Sequence, residues 1–151
     1  MNAVLSIPYT PLQIPKCDAF PNGELRDYPL VKVALYYNNN KPDFDFYAVI
    51  DSGADHCSFP AAYGAKVGIP INTGKTAITV GATGAGESYY HNVHIGVWVQ
   101  GKPYGFDCYA AFMPGLDGLG IGLLGRCGFF DLYKKVAFNT DERLVELTLR
   151  E

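Results

Sequence analysis

No stretch of this 151-residue chain is rich in lysine or arginine, and its formal net charge is −3. The sequence therefore lacks the basic footprint with which proteins follow nucleic-acid phosphates. No apolar run approaches the roughly 18 residues of a membrane span. The N-terminus, MNAVLSIPYTPLQIPK, has neither the basic start nor the unbroken apolar stretch of a secretory leader. Cysteine is sparse as well: Cys17, Cys57, Cys108 and Cys127 lie far apart and form no CxxC pair, which argues against zinc. Reduced thiols and a cytoplasmic location are the default expectation, and spacing alone leaves a disulfide open.

Apolar material is abundant by contrast. Hydrophobic residues make up 48% of the chain against 18% charged, which is enough for a packed core and incompatible with disorder. The length fits one compact unit. Residues 1–29 carry Pro8, Pro11, Pro15, Pro21 and Pro29 with little periodicity, and read as an extended N-terminal arm of irregular structure preceding a domain at 30–151. From Leu30 the pattern has period two, Val31, Val33 and Leu35 alternating with Lys32, Ala34 and Tyr36. NNNKPD breaks this run, and FDFYAVID completes a predicted hairpin.

Further along, CSFPAAYGAKVGIP predicts a short strand and at most two turns of helix. TAITV, ESYYHNVHIGVWVQ and PYGFDCYAAF read as strands, with turns at GATGAG and GK. GIGLLG leads into RCGFFDLY, where one helical turn is expected, and KVAFNTDERLVELTL closes as a hairpin around Asn139-Thr140-Asp141-Glu142. Short strands separated by turn signals predict an all-β barrel or sandwich.

One stretch carries chemistry. In AVIDSGADHCSF, residues 48–59, a strand of small and branched apolar residues delivers Asp51 to a sharp turn made by Ser52 and Gly53. Such a turn holds a carboxylate where backbone N–H groups and a hydroxyl can fix it, and Gly53 admits a close backbone approach. The tripeptide alone is a weak signal, but the apolar strand before it and Ala54-Asp55 after it strengthen it considerably.

The whole stretch resembles the active-site signature of retropepsin-like aspartic proteases. SFPAAYGAKVGIP is similar to the segment that follows their catalytic turn, VGATGAGESYY to their flap, and GLLGRCGFFD to their hydrophobic-hydrophobic-Gly-Arg segment and short C-terminal helix. The likeness runs in order over roughly residues 30–149. It implies an all-β acid-protease barrel with a flap hairpin and a short C-terminal helix.

The resemblance also implies roles for particular residues. Asp51 would be the catalytic carboxylate, and Ser52 would bond its counterpart in a second subunit. Gly53, Ala54 and Asp55 would contact the substrate main chain beneath a flap apex at Gly84, Ala85 and Gly86. Leu123, Leu124 and Gly125 would pack under the catalytic turn, and Arg126 would pair with Asp55. An exposed Asp–Arg pair without such a role contributes little.

Aspartic proteases need two carboxylates that share a proton. Since the chain holds a single Asp-Ser-Gly turn and no second Asp-Thr/Ser-Gly, a homodimer is the expected partner arrangement, acting on a polypeptide substrate. Asp43 and Asp45 alternate with Phe44 and Phe46 and read as solvent-facing. No cofactor or metal is implied.

Other features have plainer readings. GATGAG precedes a strand rather than a helix, unlike a phosphate loop, and Gly120–Gly125 matches GxGxxG without the βαβ context of a dinucleotide site. His91 and His94, three apart on a strand, face opposite ways. His56 borders the expected cleft, and Cys57 reads as a small buried residue. Three functions are weighed: an aspartic endopeptidase, a binding or scaffolding module that keeps the fold without turnover, and a β-barrel for an unrelated ligand.

Overall fold

A computed structural model describes residues 2–40, 43–81 and 84–151. Its centre is a barrel. β4 (Leu30–Tyr36) and β5 (Phe46–Ile50) form the expected hairpin, with Leu30 opposite Val49 and Val33 opposite Phe46. The alternation read from the sequence turns Val31, Val33 and Leu35 inward, each essentially sealed from solvent. β8 (Gly84–Val99) and β9 (Lys102–Met113) form a long antiparallel pair across Gln100-Gly101, both of which have positive φ as a tight hairpin turn requires.

β6 (Ser58–Pro60) runs parallel to β9, and β10 (Ile121–Leu124) lies between β6 and β5. Pairing of β4 with β8, from Lys32 opposite Trp98 to Tyr36 opposite His94, closes the ring β4-β5-β10-β6-β9-β8. β7 (Lys75–Gly81) pairs with the first half of β8 and projects from the ring as a hairpin. The fold is therefore the all-β barrel expected, and inside it Phe59, Phe112 and Phe129 are fully buried. Burying side chains of this size contributes about 1.5–3 kcal/mol each.

Helix is confined to short pieces. α1 (Ala61–Lys66) follows β6, and a single 3-10 turn at Phe130–Leu132 stands where the C-terminal helix was expected. β11 (Tyr133–Asn139) and β12 (Leu144–Leu149) make the terminal hairpin, whose turn is held by Glu142 N–H donating to Asn139 Oδ1 at 2.9 Å. No helix among the described residues is long and apolar enough to cross a membrane.

Residues 1–29 correct the irregular reading, because they contain three strands. β1 (Val4–Pro8) pairs with β12, from Val4 opposite Thr148 to Pro8 opposite Leu144, and seats Ile7 in the core with Val145 and Leu147. β2 (Thr10–Ile14) and β3 (Glu24–Tyr28) form a separate two-stranded ribbon. Prolines obscured these strands in the sequence, yet β1 and β2 are edge strands, where a missing N–H is tolerated.

Candidate active site

Asp51 follows directly on β5, and its placement is dictated by two neighbouring backbones. Ile50 N–H donates to the Pro29 carbonyl at 2.9 Å, and Asp51 N–H donates to the Leu124 carbonyl at 3.0 Å. β10 lies parallel to β5 with Leu123 opposite Val49 and Leu124 opposite Ile50, beside the strand that leads into the turn. Leu124 is fully buried there.

Beyond Asp51 the chain reverses. Ala54 N–H donates to the Asp51 carbonyl at 3.2 Å, and Gly53 N–H donates to Asp51 Oδ1 at 2.9 Å. The carboxylate thus bonds its own backbone two residues on, a turn geometry that Asp adopts readily. Asp51 is half-buried, whereas Ser52, Gly53 and Asp55 are exposed. A carboxylate fixed by an N–H on one side and open to solvent on the other can accept a proton from a bound water or share one with a facing acid.

The floor of the turn comes from the chain after β10. Arg126 N–H donates to the Ala54 carbonyl at 2.9 Å, and Cys127 N–H to the Asp55 carbonyl at 2.8 Å. Gly125 makes this approach possible: a Cβ there would overlap the His56 carbonyl and lie 2.9 Å from the Ala54 oxygen. The Arg126 guanidinium also pairs with the Asp55 carboxylate, as the sequence suggested.

The β7–β8 hairpin meets the turn segment through Tyr90 of β8, whose ring contacts that of His56. Gly84, Ala85 and Gly86 occupy the first positions of β8, opposite Gly81, Val80 and Thr79. Residues 82 and 83 of the expected GATGAG turn lie outside the described residues. One face of the hairpin carries Ser88, fully buried, whose hydroxyl is 2.6 Å from that of Thr79. The other exposes Ile78 (69%) and Val80 (79%), an apolar pair left uncovered among the described residues.

Sequence reasoning missed two contributors, Tyr90 and Tyr109, which join His56 beside the turn. The His56 ring meets Tyr90 edge-on at 5.5 Å, and Tyr90 lies 5.1 Å from Tyr109, so β8 and β9 lay an aromatic row beside the turn. Partial burial raises the Tyr90 hydroxyl above its ordinary pKa, keeping it a neutral donor. Only the alternation of ESYY and DCYAAF hinted at these positions, because their meeting depends on the β8–β9 register. The other histidines are satisfied elsewhere, His91 by the Ile71 carbonyl and His94 by Asp107, each at 2.9 Å.

Behind the turn, Cys57 and Cys108 are buried free thiols. The Cys108 S–H donates to Cys57, which lowers the pKa of Cys57 and raises that of Cys108. A groove of about 1030 Å³ lies on the outer barrel wall among Tyr36, Trp98, Tyr104 and Asp107, but it includes none of residues 51–56.

No family model matches the chain, and no curated protein matches it in sequence. The structure is similar to a retropepsin-like aspartic protease from Rickettsia conorii, with a TM-score of 0.52 over 99% of this chain and 94% of that one, at 17% identity. At that identity the likeness is one of fold.

Proposed function

We propose that this chain is an aspartic endopeptidase that works as a homodimer, each subunit contributing Asp51. The observation that carries the reading is the placement of the one Asp-Ser-Gly turn. It ends a barrel strand, rests on β10, aims a backbone N–H at Asp51 Oδ1 and leaves the carboxylate accessible. The fold shared with a protease of this type supports it.

Two copies facing one another would bring both Asp51 carboxylates close enough that they cannot both ionise. The ionised one takes a proton from a water as it attacks the peptide carbonyl. The protonated one donates to the carbonyl oxygen, and the proton then passes to the departing amine. Substrate lies extended between the turn and the β7–β8 hairpin, held by main-chain hydrogen bonds with side chains in alternate pockets. Closure of the hairpins excludes water.

Cleavage of a diverse peptide library by wild type and Asp51→Asn tests this. Cuts made by the wild type and lost in a folded Asp51→Asn support it, since a positioned acid–base group is worth about 10²- to 10⁴-fold. Substantial turnover by Asp51→Asn removes Asp51 as the catalyst. A folded, dimeric wild type that makes no cuts leaves the fold as a binding module.

A further inference from the structure

The strands of the β2–β3 ribbon join no other sheet among the described residues. Its strands pair only with each other, from Thr10 opposite Tyr28 to Ile14 opposite Glu24, and none of their ten residues is buried. Leu25 is 63% exposed and Leu12 37%. A two-stranded ribbon that buries none of its residues is marginally stable in water, so an ordered ribbon exposing Leu12 and Leu25 calls for a surface to lie against.

Its root is tied down where a second subunit has to sit. Tyr9 N–H donates to the Arg143 carbonyl at 2.9 Å, and Arg143 Nε donates to Asp27 Oδ2 at 2.7 Å. Pro29, next along the chain after the ribbon, accepts from Ile50, the residue before Asp51. Any two-fold axis that brings two Asp51 side chains together therefore passes beside the ribbon root. Five paired residues span about 17 Å, enough for the ribbon of one subunit to lie across the other.

The terminal strands offer less. β12 already has β1 on one edge and β11 on the other, both from its own chain. No partner strand can enter beside it without displacing one of these. The ribbon, by contrast, buries none of its residues and leaves the face of Pro11, Gln13 and Leu25 exposed.

On these grounds we infer that the β2–β3 ribbon is the clamp that grips a second copy of this chain, one ribbon from each subunit in a two-fold exchange. This rests on the peptidase reading for the position of the axis, but its test reads assembly and not turnover. Leu12 pairs opposite Arg26 and Leu25 opposite Gln13, so the two leucines lie on opposite ribbon faces.

The experiment is sedimentation velocity over a concentration series for wild type, Asp51→Asn, Leu12→Asp, Leu25→Asp and the double variant. Wild type and Asp51→Asn should dimerise alike. The double variant should dissociate at concentrations at least tenfold higher with an unchanged far-ultraviolet spectrum, since both positions lie outside the core. A photo-crosslinker on Cys17, exposed in the ribbon loop, should yield covalent dimers.

A double variant that dimerises like wild type overturns the clamp. So does crosslinking confined to one chain, or a wild type that stays monomeric throughout. Unchanged dimerisation with a raised KM would give the ribbon to the substrate instead, and equally overturns it. A tight wild-type dimer that cuts no peptide would remove the peptidase reading and leave the clamp standing.

Discussion

The Arg126 guanidinium meets the Asp55 carboxylate and so bridges the two chain segments that make the floor and the wall of the candidate active site. Both side chains are well exposed, at 56% and 77%, so the pair contributes no more than about 1 kcal/mol to stability. Its value lies in holding Asp55 in place four residues after Asp51. Arg126→Ala should thus leave the melting temperature nearly unchanged while kcat/KM on peptides falls by roughly tenfold or more, as small misplacements near a reacting centre do. Equal losses in Arg126→Ala, Asp55→Ala and the double variant would identify one coupled unit. Additive losses would refute the coupling.

Gly125 marks where the turn is least tolerant. A Cβ at this position meets backbone atoms, the His56 carbonyl and the Ala54 oxygen, so no side-chain rotation relieves the clash. Gly125→Ala should force β10 and the Asp51 turn apart. The expected cost is at the upper end of the 1–3 kcal/mol typical of overpacking, about 3 kcal/mol. Urea unfolding measures it, and a cost below about 0.5 kcal/mol would mean that the two backbones separate freely. Because Arg126 and Cys127 donate to the same segment, activity should fall even where the variant remains folded.

Much of the barrel was legible because its strands carry their own signal. The Val31-Val33-Leu35 alternation, the Asn-rich break and FDFYAVID determine a local hairpin, and Asp51 then stands where that hairpin ends. Pairings between distant segments left no such trace. Nothing near Val4 announces Thr148 as its partner, and five prolines masked the period in the arm. The ribbon buries no residue, so it has no apolar stripe to read. Within the site, GATGAG signalled a turn but not its register, which puts Gly84 opposite Gly81 and Gly86 on the returning strand. The row of His56, Tyr90 and Tyr109 forms only after the Asp51 turn, β8 and β9 assemble.

The four thiols should divide by access rather than by acidity. Cys17 and Cys127 are exposed, while Cys57 and Cys108 are buried and hydrogen-bonded to each other. The S–H donated by Cys108 lowers the pKa of Cys57, which by itself would favour the reactive thiolate. Burial opposes this by denying the reagent an approach. In native protein an aromatic disulfide reagent should therefore modify Cys17 and Cys127 quickly, and Cys57 and Cys108 only as the protein unfolds. Fast modification of Cys57, located by peptide mapping, would show that the barrel opens behind the Asp51 turn.

Tyr133 sets a limit on alkaline stability. It begins β11, is 7% exposed and packs against Phe129 with ring centroids 5.2 Å apart. Burial pushes its hydroxyl up to about 12, against about 10 in an unfolded chain. The folded state thus favours the protonated phenol. Its contribution is fully present below pH 10 and is lost as the pH rises from there through the folded value. Over that window the unfolded chain ionises first, and the difference amounts to about 2 kcal/mol. Tyr133→Phe cannot ionise, so urea unfolding between pH 9 and pH 12 should show wild type losing stability more steeply, with the two curves parallel below pH 10. Equal slopes above pH 10 would mean that the Tyr133 hydroxyl reaches water in the folded protein and that the start of β11 is looser than its packing against Phe129 implies.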